Sequence, residues 1–184
     1  MVINYTKKIK ELIESNNKDE AIILVEHQIE LEPLNIRNYL ILGQIFNSKK
    51  DFSKAEINFE KAYKIDPNNK EVFRNLTYFY SSYASNLKDK GEFLKAIKYH
   101  KKLAKIDQLN SAAHLSNIGA NYRYLEELDK ALEYYNKSLK LNKSYLLGYL
   151  NLSEIYKLKN NHQKFYETTR HMIDVFRESP KSFT

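Results

Sequence analysis

LGQIFNSKKDFSKAEINFEKAYKIDP, residues 42–67, places small residues at regular intervals among large apolar and charged ones. Apolar residues recur at helical spacing on both sides of the polar break NSKKD, a pattern that predicts two amphipathic helices. Pro67 ends the second helix, because proline cannot continue it. We expect the two helices to cross where Gly43 and Ala55 lack bulk, and Ala62 to face the following helix.

The pattern recurs along the chain at a nearly fixed spacing. Ala21 and Ala55 begin equivalent segments 34 residues apart, and Ala131 begins a further copy. The copy that begins at Ala96 starts 41 residues after Ala55, so its repeat carries a seven-residue insertion. A period of this length predicts a stacked array in which each repeat is one helical hairpin.

Residues 36–69 resemble the tetratricopeptide repeat at each position of its signature. The matching residues are Tyr39, Leu42, Gly43, Phe46, Ala55, Phe59, Ala62 and Pro67. The resemblance implies an all-α fold, a right-handed α-solenoid of helix-turn-helix repeats with about ten or eleven antiparallel helices. The five repeats cover about 2–35, 36–69, 70–111 with the insertion, 112–145, and 146–179 as a degenerate cap. We expect one domain over residues 1–180, followed by a tail at 181–184.

The last repeat departs from the signature, since Phe165 stands where an alanine belongs. Its final segment also carries the apolar residues Met172, Ile173 and Phe176. Terminal repeats have one neighbour and act as caps, so we expect these side chains to cover the end of the core. Alternatively, they form a surface for self-association or for a partner, as uncovered apolar patches do.

The third repeat breaks the period, with its extra residues at about 81–90. Tyr83, Ala84 and Leu87 continue the helical spacing set earlier in the repeat, which predicts a first helix one or two turns longer than its neighbours. Two roles stay open for the extra length. It is either a tolerated elongation, since added length costs little, or an element that contacts a partner.

A lysine stripe follows the insertion on the second helix of the third repeat. It consists of Lys95, Lys98, Lys102 and Lys105, spaced so that all four share one helix face. We expect this face to lie on the outer, convex side, where such a run is usually solvated. The alternative is a basic patch that binds an acidic partner.

Composition sets limits on the partners and the compartment. The chain of 184 residues carries a net charge of +7, which favours acidic partners. Lysine supplies most of the positive charge, whereas phosphate and base recognition usually relies on arginine, which argues against nucleic acid. No stretch approaches the roughly 18 apolar residues of a membrane span, and lysines interrupt the apolar N-terminus, unlike a signal peptide. We expect a cytoplasmic protein without membrane contact.

The sequence contains no recognisable catalytic motif. Four glycines and no cysteine leave neither a glycine-rich phosphate loop nor a thiolate site. The five histidines lack metal-ligand spacing, and His100 falls at a core-facing repeat position, where we expect a packed core residue. We therefore predict no enzyme activity, no catalytic residue, no metal and no cofactor.

The first helices of the repeats are the expected binding surface. The resemblance implies that these helices line a groove that receives an extended peptide or a helix of a protein partner. The groove residues predicted from their repeat positions are Arg37, Gln44, Arg74, Asn75, Tyr78, Asn117, Arg123, Asn151 and Glu154. Asn75, Asn117 and Asn151 share one repeat position, and an amide can both donate to and accept from a peptide backbone. Alternatively, asparagine is simply a common residue at that position.

Function is predicted as a non-catalytic protein–protein interaction module or scaffold that binds a peptide or protein segment. Two alternatives stay open. The lysine-rich third repeat binds nucleic acid or another acidic partner, or the chain is the repeat portion of a larger enzyme or assembly. The salt dependence of the affinity distinguishes the first alternative from groove binding, because phosphate contacts weaken steeply as the salt concentration rises.

Overall fold

The computed structural model describes residues 5–178, which form ten α-helices and no strand. The helices are α1 Tyr5–Glu14, α2 Lys18–Leu31, α3 Ile36–Ser48, α4 Phe52–Ile65, α5 Lys70–Asp89, α6 Phe93–Ile106, α7 Ser111–Tyr124, α8 Leu128–Leu141, α9 Leu146–Leu158 and α10 His162–Glu178. Odd-numbered helices are the first helices of the repeats and even-numbered helices the second. The predicted all-α solenoid of helical hairpins is confirmed.

Each hairpin turns through one residue in the left-handed backbone region. These residues are Asn16, Lys50, Gly91, Glu126 and Asn160, with φ between 54° and 74°. A left-handed residue after a helix lets the chain reverse while its amide groups bond back to the preceding turn. Four of the five turns use a residue other than glycine, which explains how so few glycines support so many hairpins.

Side chains cap the N-termini of both helices of the second repeat. Asn35 accepts a hydrogen bond from the backbone N–H of Arg37 at 3.1 Å, and Asp51 accepts one from that of Lys54 at 3.1 Å. Such caps satisfy backbone donors that have no partner within the helix. Pro67 lies just beyond the end of α4, as predicted.

Glycine in the first helix makes room for an aromatic ring from the second. A Cβ atom built at Gly43 would lie 2.7 Å from the Phe59 ring, and one at Gly119 would lie 2.8 Å from the Tyr135 ring. The sequence-based expectation paired Gly43 with Ala55, but the side chain that requires the glycine is Phe59. The side chain of Ala55 is a single methyl group, which leaves room for the neighbouring helix. The Phe59 ring, in contrast, occupies the space that a Cβ atom at position 43 would need.

The described residues belong to two compact units, 1–79 and 80–184, whose boundary falls within α5. In unit 1, α2 packs on α1 and α3, and α3 packs on α4. In unit 2, consecutive helices from α6 to α10 pack on one another, and α7 also touches α9. One domain over residues 1–180 stays a prediction, and the tail at 181–184 lies outside the described residues.

The inserted residues lengthen α5 to 20 residues, against 13 in α3. Ala84 and Leu87 of the extension are buried, and the Tyr83 ring lies 4.8 Å from that of Tyr99 on α6. When repeat positions are counted back from α6, residues of the extension fall at the signature positions of the first helix. Tyr80, Tyr83, Ala84 and Leu87 each lie 41 residues after Tyr39, Leu42, Gly43 and Phe46. The extra turns are therefore a packed part of the third hairpin in unit 2.

The last helix covers one end of the core of unit 2. Met172 and Val175 pack against a cluster that includes Tyr135, Tyr149 and Ile155. Ile173 and Phe176 remain exposed, Phe176 to 64%. None of the helices in the described part of the chain is long and apolar enough to cross a membrane.

Candidate functional site

In unit 1 the predicted groove residues form part of a hydrogen-bonded surface on the first helices. Arg37, Gln44, Arg74 and Tyr78 are exposed, Tyr78 to 71%. The Gln44 side-chain amide donates to Asn75 Oδ1 at 2.9 Å, and Asn75 Nδ2 donates to the Glu71 carbonyl at 2.8 Å. The Asn75 amide is therefore engaged within the protein through both of its polar atoms.

In unit 2 the predicted groove residues also bond across neighbouring first helices. Arg123 of α7 forms an ion pair with Glu154 of α9 at 2.7 Å. Asn151 Nδ2 donates to Ser116 Oγ at 3.1 Å, and Ser116 is 2% exposed. Asn117 is exposed, and its side chain makes no hydrogen bond within residues 5–178.

The three asparagines at the shared repeat position are thus not equivalent. Asn75 and Asn151 bridge adjacent helices, whereas Asn117 offers its amide to solvent. The pairs Gln44–Asn75 and Arg123–Glu154 are both separated by 31 residues, three fewer than the repeat. Neighbouring first helices are therefore offset by about one turn where they touch.

A cavity of about 350 Å³ lies on the first-helix side of unit 1. It is bounded by α1, α3 and the start of α5. Its apolar lining comes from Ile9, Ile13, Leu40 and Ile41, and its polar lining includes Lys10, Glu14, Arg37, Gln44 and Glu71. An apolar cavity of this size with a charged and amide-bearing rim suits an apolar side chain of a bound peptide.

A cavity of about 270 Å³ lies on the first-helix side of unit 2 and has a different chemistry. Its lining includes Ser81, Ser85 and Lys88 from the extension of α5, His100 from α6, and His114, Asn117 and Asn121 from α7. The insertion therefore supplies one wall of the cavity. The sequence singled out the insertion and His100 separately, but the structure brings them together.

Asp107 holds one of the two histidines of this cavity. His114 Nε2 lies 3.1 Å from Asp107 Oδ2, and both residues are buried. Burial alone would raise the pKa of the Asp107 carboxyl, but hydrogen bonds from Asn110 and His114 outweigh it and lower that pKa. With Nε2 turned to the carboxylate, the second ring nitrogen of His114 is left for another partner.

His100 occupies the repeat position that holds Phe59 in the second repeat and Tyr135 in the fourth. The expectation that it is buried is confirmed, and its ring is stacked 6.2 Å from that of His114. Burial lowers the pKa of His100 to about 4, with further lowering by the charges of His114 and Lys88. His100 is therefore a neutral imidazole at neutral pH.

The predicted lysine stripe lies on one face of α6. Lys95 forms an ion pair with Glu92, while the ammonium groups of Lys98 and Lys102 lie 5.9 and 5.5 Å from the centroid of the Tyr99 ring. Lys98, Lys102 and Lys105 line a groove of about 430 Å³ together with Lys101. The sequence missed Lys101, which contacts Tyr134 from the neighbouring helix α8.

Within residues 5–178, no group of three or more histidine, aspartate or glutamate side chains is arranged to hold a metal ion.

Two stretches of the chain match family models described as "Tetratricopeptide repeat", residues 36–69 and residues 115–145. A curated relative, anaphase-promoting complex subunit 3 of Schizosaccharomyces pombe, is 22% identical over 145 residues. The match covers 79% of this chain but 21% of that protein, so the chain spans about a fifth of the relative's length.

Solved structures with the same fold include two described as MamA and one described as YrrB. One MamA structure is 18% identical, with 98% of each chain covered and a TM-score of 0.55. MamA residues 41–end from Desulfovibrio magneticus RS-1 give 16% identity, coverage of 96% and 95%, and a TM-score of 0.52. YrrB, described as a TPR protein with an unusual peptide-binding site, is 20% identical, with coverage of 97% and 88% and a TM-score of 0.51. These likenesses establish the fold.

Proposed function

We propose that this tetratricopeptide repeat protein is a non-catalytic interaction module that binds an extended segment of a partner protein on its first helices. The proposed contact residues are Arg37, Gln44, Arg74, Asn75 and Tyr78 in unit 1, and Asn117, Arg123, Asn151 and Glu154 in unit 2. Each of these residues lies on the first-helix side of its own unit.

The observation that carries the proposal is the cavity in unit 1. First helices of successive repeats surround it, with isoleucine and leucine side chains on the inside and Arg37 and Gln44 at the rim. A peptide presents the same combination, since its side chains alternate with backbone donors and acceptors. The apolar lining would take a side chain, and Gln44 would bond to the backbone beside it.

The compared proteins point in the same direction. YrrB is described as a protein with a peptide-binding site, and the S. pombe relative is named as a subunit of a complex. Because the polar contacts on offer are few, we expect micromolar affinity, about −8 kcal/mol. The proposal is the same whether the chain acts alone or is the repeat portion of a larger assembly, because the first helices bind the partner in both situations.

The test starts from peptides selected for binding from a random library displayed on phage. Affinities of two or three selected peptides are measured by titration calorimetry against the wild type and an inner variant, R37A/Q44A. The matched outer variant is K98A/K105A, which removes two exposed side chains from a second helix. Exposed positions are used throughout so that melting temperatures stay close to that of the wild type.

The proposal expects the inner variant to bind about tenfold more weakly, a loss of about 1.4 kcal/mol, while the outer variant binds as the wild type does. A peptide that binds the inner variant as tightly as the wild type but no longer binds the outer variant would overturn the proposal.

A second candidate function rests on the lysine groove of α6. Lys98, Lys101, Lys102 and Lys105 line one groove, an arrangement suited to an acidic segment of a partner or to nucleic acid. Binding there should weaken steeply between 50 and 200 mM salt, by about a hundredfold if all four lysines contact phosphates. Salt-insensitive binding of the selected peptides would favour the first-helix surface instead.

Self-association through the last helix remains a further candidate, since Ile173 and Phe176 are exposed while Met172 is packed against the core of unit 2. A Phe176→Ser variant should lower the molar mass measured by light scattering at high concentration if this surface joins two copies. Equal masses for wild type and variant across a concentration series would exclude it.

A further inference from the structure

The lysine groove of α6 has side chains that the same repeat positions lack elsewhere. Lys98 and Lys101 stand where the corresponding residues of α2, α4 and α8 carry no positive charge. Those residues are Ile23 and Glu26 in α2, Ile57 and Glu60 in α4, and Glu133 and Asn136 in α8. The fold of the repeat therefore does not require lysine at either position.

The lysines of the groove also repel one another. Lys98, Lys101 and Lys105 follow at spacings of three and four residues, and like charges at these spacings destabilise a helix. All three are exposed and form no ion pair within residues 5–178. The Glu133 carboxylate on the neighbouring helix α8 is paired with Lys137. The groove thus carries positive charge that the carboxylates of a partner would neutralise.

Apolar side chains lie beside these charges. Leu94, Ile97 and Tyr122 line the same groove, and Leu94 is 64% exposed. The methylene stems of the lysines add further apolar surface. A groove that combines exposed apolar surface with several ammonium groups suits a chain that presents an apolar side chain together with carboxylates.

The aromatic rings around the groove favour a protein segment over nucleic acid. The ammonium groups of Lys101 and Lys137 lie 5.9 and 4.8 Å from the centroid of the Tyr134 ring. That ring is stacked on Tyr122 at 5.4 Å, and Lys130 lies 5.3 Å from the Tyr122 centroid. Single-stranded nucleic acids gain affinity when their bases stack on aromatic rings, and these two rings are already engaged within the protein.

We propose that the lysine groove binds an acidic segment of a partner protein in which carboxylates flank a large apolar side chain. The carboxylates pair with Lys98, Lys101 and Lys105, and the apolar side chain contacts Leu94. The inference rests on the second candidate function, whose partner it names, and it is independent of binding on the first helices. It explains why α6 carries lysine where α2 and α4 carry isoleucine and glutamate.

The test uses a fluorescently labelled peptide in which pairs of glutamates flank leucines. In one matched peptide glutamine replaces each glutamate, and in the other glycine replaces each leucine. Binding to the full chain is followed by fluorescence anisotropy at physiological ionic strength, where the screening length is about 8 Å and distant charges have little effect. We expect the acidic peptide to bind saturably, the glutamine peptide about tenfold more weakly, and the glycine peptide several-fold more weakly.

A matched pair of protein variants locates the binding. K98Q/K101Q should weaken the acidic peptide about tenfold, since it removes two charged contacts. K61Q/K64Q removes the same charge from exposed positions of α4, 41 residues before Lys102 and Lys105, and should leave the affinity unchanged. The melting temperature of K98Q/K101Q should not fall, because the change relieves repulsion within α6.

Four results would each overturn the proposal. They are equal binding of the glutamate and glutamine peptides, equal binding of the leucine and glycine peptides, equal weakening by the two double variants, and a lower melting temperature for K98Q/K101Q. An oligothymidylate that binds more tightly than the acidic peptide, and is lost in K98Q/K101Q, would assign the groove to nucleic acid instead.

Failure of this inference is separable from failure of binding on the first helices. If the acidic peptide does not bind but the peptides selected by phage display still depend on Arg37 and Gln44, only the partner of the lysine groove is wrong. If the acidic peptide depends on Lys98 and Lys101 while the selected peptides ignore Arg37 and Gln44, only the first-helix proposal is wrong.

Discussion

The hairpins of the second and fourth repeats differ from that of the third at one pair of positions. In the former, an aromatic ring lies against glycine, Phe59 on Gly43 and Tyr135 on Gly119. In the third, His100 stands at the ring position and Ala84 at the position of the glycine in the register set by α6. The scaffold thus packs an aromatic ring on a glycine in two repeats and places a histidine and an alanine at these positions in the repeat that contains a polar cavity.

The same difference separates a ring that packs in an apolar contact from a buried ring that carries a polar atom without a partner. Phe59 is buried in an apolar contact that includes the Phe79 ring at 5.2 Å. His100 is also buried, yet it has a polar atom without a partner and a pKa lowered to about 4. We therefore expect His100 to stabilise its hairpin less than Phe59 stabilises the second hairpin, and the following predictions test that contrast.

The largest effect is expected from loss of a ring that packs on glycine. Phe59→Ala should lower the free energy of unfolding by about 3–5 kcal/mol, since it leaves a cavity in a close-packed core. His100→Ala should cost less than half as much, because the side chain it removes is poorly satisfied. Urea unfolding of both variants measures the difference, and equal losses would contradict the contrast.

Acid should destabilise the third hairpin specifically. The pKa of His100 is about 4 in the folded protein, against 6.5 for an ordinary histidine, so the unfolded chain takes up the proton first. Stability is then lost as the pH falls from 6.5 towards 4, by up to about 3 kcal/mol from this group. The wild type should lose that much more than His100→Phe over this range, when unfolding is followed by urea titration at each pH. Parallel losses would show that His100 does not carry the effect.

A smaller effect is expected from a methyl group at the glycine. Gly43→Ala would place a Cβ atom 2.7 Å from the Phe59 ring, and the resulting overpacking should cost about 1–3 kcal/mol. Thr77→Ala is the matched control, because Thr77 lies 34 residues after Gly43 and already has a Cβ atom. A melting temperature for Gly43→Ala that stays within a degree of wild type would show that the contact is not tight.

The smallest effect should have the opposite sign. Tyr135 is fully buried with a hydroxyl that lacks a partner within the described residues, and burial raises its pKa to about 12. Tyr135→Phe should therefore stabilise the protein by about 1 kcal/mol. Tyr39→Phe is the comparison, since its hydroxyl donates to the Pro33 carbonyl at 2.9 Å and its loss should destabilise by a similar amount. Destabilisation by both changes would indicate that the Tyr135 hydroxyl is satisfied by water.

The periodicity of the sequence was sufficient to predict the helices, their pairing and the position of the insertion. Local spacing determines those features, because each helix buries one face and each hairpin repeats the last. The partner of Gly43 was not predictable in this way, since Ala55 and Phe59 lie on the same helix and only the rotation of that helix selects between them. The surface polar pairs were also missed, because they depend on the one-turn offset between neighbouring first helices.

The cavity of unit 2 could not be predicted from the sequence, for a related reason. The insertion could be placed, and His100 could be recognised as an exception to an aromatic position. That they meet depends on α5 changing its register of packing midway, from a 34-residue offset to a 41-residue offset. A spacing rule that assumes one register for each helix does not contain that information.

The central claim, that partner segments bind on the first helices, is tested most directly by site-specific photo-crosslinking. A benzophenone amino acid is placed at Gln44 or Asn117 on first helices and, in matched variants, at Lys105 or Lys137 on second helices. Each variant is irradiated with an isotope-labelled form of the selected peptide, and adducts of the labelled peptide are mapped by mass spectrometry. The account predicts adducts from Gln44 or Asn117 that an excess of unlabelled peptide suppresses. Adducts formed only from Lys105 or Lys137 would contradict it.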